Sequence, residues 1–169
     1  EELLEKGIFD PIAIYAYYPC ISHDNKLYIF DKKYLFNTLE ESKNVPPLSE
    51  AIKVLEFPRQ KRKPFRCIAD FFANDRLDVV GFTLASAGLK ISDYEREFYD
   101  RGEFTKYYQI HGLGVELAEA LAEVLHKQIR LDWDIVPKEG HKLSDVQMKQ
   151  YVGCRYSPGY AACPELSQN

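Results

Sequence analysis

One segment near the end of the chain combines residues that can bind a small ligand. Residues 155–164, which read RYSPGYAACP, contain an Arg, two Tyr, two Pro and a Gly. The Arg155 guanidinium is a planar fork of five donors that fits a carboxylate, and Tyr156 and Tyr160 offer flat faces to a purine or a cation. We call this segment the signature loop.

The signature loop also contains residues that fix a backbone path. Pro158 restricts its own φ and drives Ser157 toward extended geometry, Gly159 can adopt a positive φ, and Pro164 stiffens the exit. These features are typical of a rigid binding loop. The composition alone also fits a packed surface turn with an Arg at its rim.

Several common catalytic and metal-binding patterns are absent from the sequence. The run that starts at His111 begins like a glycine fingerprint, but Leu117 stands where the third Gly of a Rossmann site would be. No G-x-S-x-G, Walker, C-x-x-C or H-E-x-x-H pattern occurs, and neither does the cobalamin-ligating D-x-H-x-x-G. The sequence therefore predicts no catalytic residue and no metal ligand.

The composition predicts a single soluble domain. The chain has 169 residues, of which 46% are apolar, and a net charge of -4, so it can bury one core and lacks the basic surface of a nucleic-acid binder. No stretch reaches the roughly 18 apolar residues of a membrane span, and the first residues are charged. We expect a cytoplasmic protein whose four cysteines are reduced thiols.

The sequence has one basic cluster, residues 59–66. This cluster is either a solvated connection or a docking patch for an acidic partner.

The first half of the chain shows strand patterns. Runs rich in β-branched and aromatic residues alternate with turn-forming ones, which predicts an antiparallel sheet of four or five strands. The predicted strands cover residues 12–18, 26–30, 51–57, 65–72 and 77–84. The polar stretch 22–25 predicts a hairpin between the first two, and residues 32–47 predict a loop.

After Gly88 the apolar period changes from two to about 3.6, which predicts helices. A short helix should be capped near Ser92 and stop near Gly102, and a longer one over residues 113–130 should pack on the sheet. A brief helix over residues 144–151 should lead into the signature loop. The predicted fold class is α+β, a single domain with an antiparallel sheet flanked by helices.

The signature loop resembles the R-x-[SA]-x-G-Y-P-A-C-P motif of the activation (reactivation) domain of cobalamin-dependent methionine synthase. Three upstream blocks are similar to that family in the same order: residues 57–60 (FPRQ), 67–71 (CIADF) and 114–130 (GVELAEALAEVLHKQIR). The resemblance covers residues 57–164, the hairpin-like start also fits, and residues 33–50 read as a variable insertion.

The resemblance implies a binding site for S-adenosylmethionine. In the family, the motif supplies an Arg, a backbone contact two residues later and a Tyr three residues beyond that. These positions are Arg155, Ser157 and Tyr160 here. Arg155 would pair with the methionine carboxylate, Ser157 would offer main-chain groups and Tyr160 would cover part of the ligand. Cys163 is expected to be a packing residue and not a nucleophile.

The resemblance also implies a reaction and partners. The family supports reductive methylation of cob(II)alamin to methylcobalamin, in which S-adenosylmethionine gives the methyl group and a flavodoxin-type donor gives the electron. The chain would then be part of a methyltransferase of methionine biosynthesis. Cobalamin would come from a cobalamin-binding domain or a separate corrinoid protein. Because the domain mainly positions the reactants, no general base is expected.

Two departures from the family limit the implied site. Ala161 stands where the family usually has Pro, and the chain ends at Asn169, just beyond the signature loop. Residues 1–169 are therefore expected to be a partial activation domain that lacks family segments at both ends and is not assumed to be catalytically competent by itself. A free-standing reductive activator of a separate corrinoid protein and a non-catalytic interaction module of the same fold remain alternatives.

Overall fold

A computed structural model of the chain describes residues 5–135 and 153–164. It shows a four-stranded antiparallel sheet of order β3-β2-β1-β4, followed by two helices, which confirms the predicted α+β fold. The strands are β1 (Ile12–His23), β2 (Lys26–Ile29), β3 (Lys53–Glu56) and β4 (Asp78–Ser86), and the helices are α1 (Leu89–Asp100) and α2 (Phe104–Asp132). The brief helix predicted at 144–151 lies outside the described residues. None of the described helices is long and apolar enough to cross a membrane.

The predicted hairpin forms, with a longer first strand than expected. β1 does not end before Pro19 but continues to His23, which pairs with Lys26 of β2. The Pro19 carbonyl accepts a hydrogen bond of 2.9 Å from the Phe30 N–H, so the proline still contributes to the ladder through its acceptor. Asp24 starts the turn with a φ of 54°, a conformation that aspartate tolerates better than most residues.

The strand predicted at residues 65–72 is wrong. Phe65 has a φ of 58°, and a short 3-10 helix occupies Ile68–Phe71. The Asp70 carboxylate accepts a hydrogen bond of 2.9 Å from the Cys67 N–H, which caps this turn. Such a local bond between a side chain and the backbone competes with strand pairing and leaves no trace in the apolar period. The predicted loop before β3 holds three further 3-10 turns, at Lys32–Tyr34, Glu41–Lys43 and Leu48–Glu50.

Contacts divide the chain into two compact units. The first comprises Glu1–Tyr15 and Phe82–Gly153, and its described core joins α1 to α2 through Ala87, Ile91, Phe98 and Ile110. At the end of α2, the Asp132 carboxylate lies beside Tyr15 of β1 and raises the pKa of that phenol.

The helices of the first unit begin earlier than predicted. α1 starts after Gly88, whose φ of 98° suits glycine, and a Cβ there would lie 1.9 Å from the Asp10 carboxylate. That carboxylate accepts a hydrogen bond of 3.3 Å from the Lys90 N–H. Asp10, and not Ser92, therefore supplies the side chain that caps the N-terminus of α1. α2 starts at Phe104, before the predicted residue 113, and contains both Gly112 and Gly114.

The second unit comprises Ala16–Gly81 and Cys154–Asn169 and contains the signature loop. Its larger core packs side chains of β2 and β3 against the segment that follows residue 57. The buried members are Cys20, Leu27, Ile29, Leu55, Phe57, Cys67, Ile68, Ala69 and Cys163. One residue of the signature loop, Cys163, thus belongs to this core.

Candidate functional site

The signature loop is held by its own backbone and by one buried side chain. Gly159 has a φ of 91°, as predicted, and its N–H donates a 2.8 Å hydrogen bond to the Cys163 carbonyl. The Cys163 N–H donates in return to the Tyr160 carbonyl at 2.9 Å, which closes a tight turn. The side chain of Cys163 lies in the core, where burial raises the pKa of its thiol. These observations confirm that Cys163 is a packing residue.

The three residues predicted to bind S-adenosylmethionine lie on the loop with different exposures. Tyr160 is 68% exposed, Ser157 is exposed and Arg155 is half-buried and already interacts within the chain. Tyr156 lies next to them and is half-exposed. An exposed ring on a closed turn can cover a ligand without a change of fold. Their role in binding stays a prediction.

A basic loop of the same unit lies near the signature loop. Burial is the largest cause that raises the pKa of Tyr156, and the Cys154 thiol raises it further. The positive charge of Arg66 lowers this pKa and so opposes the shift. The Arg66 guanidinium therefore acts on the signature loop from residues 59–66, the basic cluster of the sequence. Nothing in the local sequence around Tyr156 indicates this proximity.

Arg59 and Asp70 form a two-pronged ion pair at the base of the basic loop. The two guanidinium nitrogens donate to the two carboxylate oxygens at 2.7 Å each, and the Arg59 Nε donates to the Asn25 side chain at 3.0 Å. The guanidinium, followed by the Cys67 N–H, holds the pKa of Asp70 below its ordinary range. The predicted family blocks 57–60 and 67–71 are thus joined by this pair.

A polar cavity of about 530 Å³ opens beside this ion pair. Arg59 and Asp70 form one wall, and Ser22, His23 and Asp24 at the hairpin end form another. Four of the five Arg59 N–H donors are already used by Asp70, Asn25 and the Phe65 carbonyl, so this guanidinium has a single donor left for an anion in the cavity. Within residues 5–135 and 153–164, no cluster of three or more His, Cys, Asp or Glu is arranged to hold a metal ion.

A comparison of the sequence with known protein families agrees with the fold and the signature loop described above. All residues, 1–169, match the family described as "Vitamin B12 dependent methionine synthase, activation domain". The chain belongs to this family. The resemblance carried by the signature loop and its three upstream blocks is thereby confirmed.

Two curated relatives support membership of the activation-domain family. The methionine synthase of Mycobacterium tuberculosis (strain ATCC 25618 / H37Rv) is 32% identical over 98% of this chain, and that of Mycobacterium leprae (strain TN) is 33% identical over 91% of it. The chain spans only 14% and 13% of the length of these relatives. The activity of a whole methionine synthase therefore does not follow from the match.

A solved structure shows the same fold. The crystal structure of the MetH reactivation domain bound to AdoHcy superposes with a TM-score of 0.80 at 24% identity. The match covers 99% of this chain and 50% of that one. The arrangement of sheet and helices described above is therefore that of a reactivation domain.

Proposed function

We propose that this activation domain binds S-adenosylmethionine at the signature loop and supports the reductive methylation of cobalamin. The observation that carries the proposal is the closed turn from Gly159 to Cys163, which holds the backbone of the exposed Tyr160 in place five residues after Arg155. A ligand with a carboxylate at one end and a cationic sulfonium and a purine beyond it suits this combination of an Arg and exposed aromatic faces.

The chain's own residues would bind and orient the ligand. Arg155 would pair with the methionine carboxylate through charge-assisted hydrogen bonds, and the Ser157 main chain would supply further polar contacts. The Tyr160 ring would cover part of the ligand and reduce its exposure to water. No residue needs to move a proton, because the methyl group leaves the sulfonium as a cation equivalent.

The solved reactivation domain supports this choice of ligand. It is named as bound to AdoHcy, which is what remains of S-adenosylmethionine after the methyl group has left. With one electron from a flavodoxin-type donor, that methyl group would convert cob(II)alamin to methylcobalamin. The corrinoid would be presented by a cobalamin-binding domain or a corrinoid protein, as the name of the family suggests. The four free cysteines fit a reducing cytoplasm, where we place the protein.

The test is transfer of a labelled methyl group. The complete gene product that contains this sequence is incubated with cob(II)alamin, reduced flavodoxin and S-adenosylmethionine that carries a ¹⁴C-methyl group. We expect label on cobalamin that depends on flavodoxin and falls in the Arg155→Ala variant. The proposal fails if label appears at the same rate without the protein, or if the variant transfers it as fast as the native protein.

A further inference from the structure

Arg66, the last residue of the basic loop, lies where the signature loop is anchored. The residue after it, Cys67, belongs to the same buried core as Cys163 of the signature loop. The backbone of Arg66 is also held, because its carbonyl accepts a 2.9 Å hydrogen bond from the Gln60 N–H. Both loops belong to the second unit and are attached to one packed core, which places the Arg66 backbone beside the signature loop.

The positive charge of Arg66 is exposed and has no carboxylate beside it. The side chain is exposed, and in the part of the chain that the structure describes no ion pair within 4.0 Å includes it. Arg59 at the other end of the loop differs, because Asp70 neutralises it at 2.7 Å. The loop itself contains no acidic residue. Arg66 therefore brings a full positive charge to this side of the signature loop.

The field of this charge reaches the residue that follows Arg155. Burial raises the pKa of Tyr156, and the positive charge of Arg66 acts in the opposite direction. Exposed charges influence one another mainly within a Debye length, which is about 8–10 Å at ordinary salt concentrations. A ligand that Arg155 binds and Tyr160 covers would lie in the same field.

The two ligand forms of the proposed reaction differ by one positive charge. S-adenosylmethionine and AdoHcy share the carboxylate, the ammonium group and the nucleoside, but the first has a sulfonium where the second has a neutral thioether. A fixed cation nearby therefore repels S-adenosylmethionine more strongly than AdoHcy. The aromatic faces of the signature loop attract the sulfonium, so such a cation weakens its binding without abolishing it.

We propose that Arg66 is a specificity-determining residue, which shifts the preference of the signature loop from the sulfonium toward the neutral thioether. This inference rests on the proposed function, in which the signature loop binds S-adenosylmethionine. When the methyl group leaves with the positive charge, the sulfur keeps the electron pair of the broken bond and the repulsion from Arg66 is relieved. Any factor by which Arg66 favours AdoHcy therefore favours loss of the methyl group by the same factor.

The preference has a consequence for turnover. A site that binds the thioether more tightly relative to the sulfonium releases its product less readily, so AdoHcy should inhibit the domain. Arg66 acts here through its charge alone and needs no direct contact with the ligand. Its position can then be taken by lysine but not by a neutral residue of similar size.

Three variants of the complete gene product test the role of Arg66. Arg66→Gln removes the charge, Arg66→Lys keeps it, and Arg62→Gln removes another exposed arginine of the same loop as the matched control. Calorimetry gives the dissociation constants of S-adenosylmethionine and of AdoHcy for each protein. In Arg66→Gln the ratio of the first constant to the second should fall about two- to fivefold, the effect of one unit charge roughly 10 Å away near a protein surface. High salt should reduce this difference from the native protein.

The controls decide whether charge at this position is the cause. Arg66→Lys should keep the native ratio, and Arg62→Gln should change it less than about 1.5-fold, because Arg62 is not among the charges that act on Tyr156. An unchanged ratio in Arg66→Gln, or an equal fall in Arg66→Lys or Arg62→Gln, would overturn the role of Arg66. Equal weakening of both ligands in Arg66→Gln would also overturn it, since that result indicates a contact with the shared carboxylate.

The native protein separates this inference from the proposed function. If the native protein binds both ligands and Arg66→Gln leaves their ratio unchanged, the role of Arg66 fails and the ligand proposal stands. If the native protein binds neither S-adenosylmethionine nor AdoHcy, both proposals fail.

Discussion

Cys163 shows at the scale of a single residue how the signature loop combines anchoring and exposure. Its side chain lies in the core with Cys20 and Cys67, while Tyr160, three positions earlier, is largely exposed. The sequence predicted this packing role because no neighbour of Cys163 could lower its pKa. It also predicted the positive φ of Gly159, since glycine alone adopts that region without strain.

The cysteines should therefore differ sharply in reactivity. Alkylation requires the thiolate, and burial raises the pKa of Cys163 and of Cys20, whereas Cys154 is exposed. In native protein treated with iodoacetamide at neutral pH, peptide mass spectrometry should find Cys154 labelled first and Cys20, Cys67 and Cys163 protected. Labelling after denaturation is the control and should reach all four. Equal rates for Cys154 and Cys163 in the native protein would contradict the anchored loop.

At the scale of elements, the alternation of apolar residues predicted the strands but not the 3-10 helix at Ile68–Phe71, which the Asp70 carboxylate caps. β3 and β4 lie close to the predicted 51–57 and 77–84. The error at 65–72 arose because the contacts that decide that segment join Asp70 to Cys67 and to Arg59, and such polar contacts have no period. The early start of α2 was missed because the apolar stripe used to place the helix begins at residue 113, whereas the helix begins at Phe104 and includes Gly112 and Gly114. Glycine is tolerated inside a long packed helix.

The two glycines of α2 provide a matched test of helix packing. A Cβ at Gly112 would meet nothing within 4 Å, so Gly112→Ala should stabilise the protein by about 0.5–1 kcal/mol through helix propensity. A Cβ at Gly114 would lie 3.2 Å from the Ile91 Cδ1 atom of α1, which is buried. Gly114→Ala should therefore gain less than Gly112→Ala or lose stability. Urea unfolding measures both, and equal gains would show that α1 does not approach α2 this closely.

At the scale of the whole molecule, the family could be recognised from four short blocks, while the surfaces around the site could not. Membership followed from residue types in a fixed order and is confirmed over residues 1–169. The pair of Arg59 with Asp70 and the approach of Arg66 to Tyr156 are products of folding, because they join positions that share no periodic pattern. Arg155, Ser157 and Tyr160 stay predicted ligand contacts.

Calorimetric titration of S-adenosylmethionine into the complete gene product tests the central claim most directly, with Arg155→Ala as the variant. Arg76→Ala is the matched control, since Arg76 pairs with its neighbour Asp75 outside the signature loop. Loss of a charge-assisted contact to the methionine carboxylate should cost about 2 to 4 kcal/mol in Arg155→Ala, or roughly 30- to 700-fold in affinity. Arg76→Ala should bind as the native protein does. An unchanged dissociation constant in Arg155→Ala would contradict the assignment of S-adenosylmethionine to the signature loop.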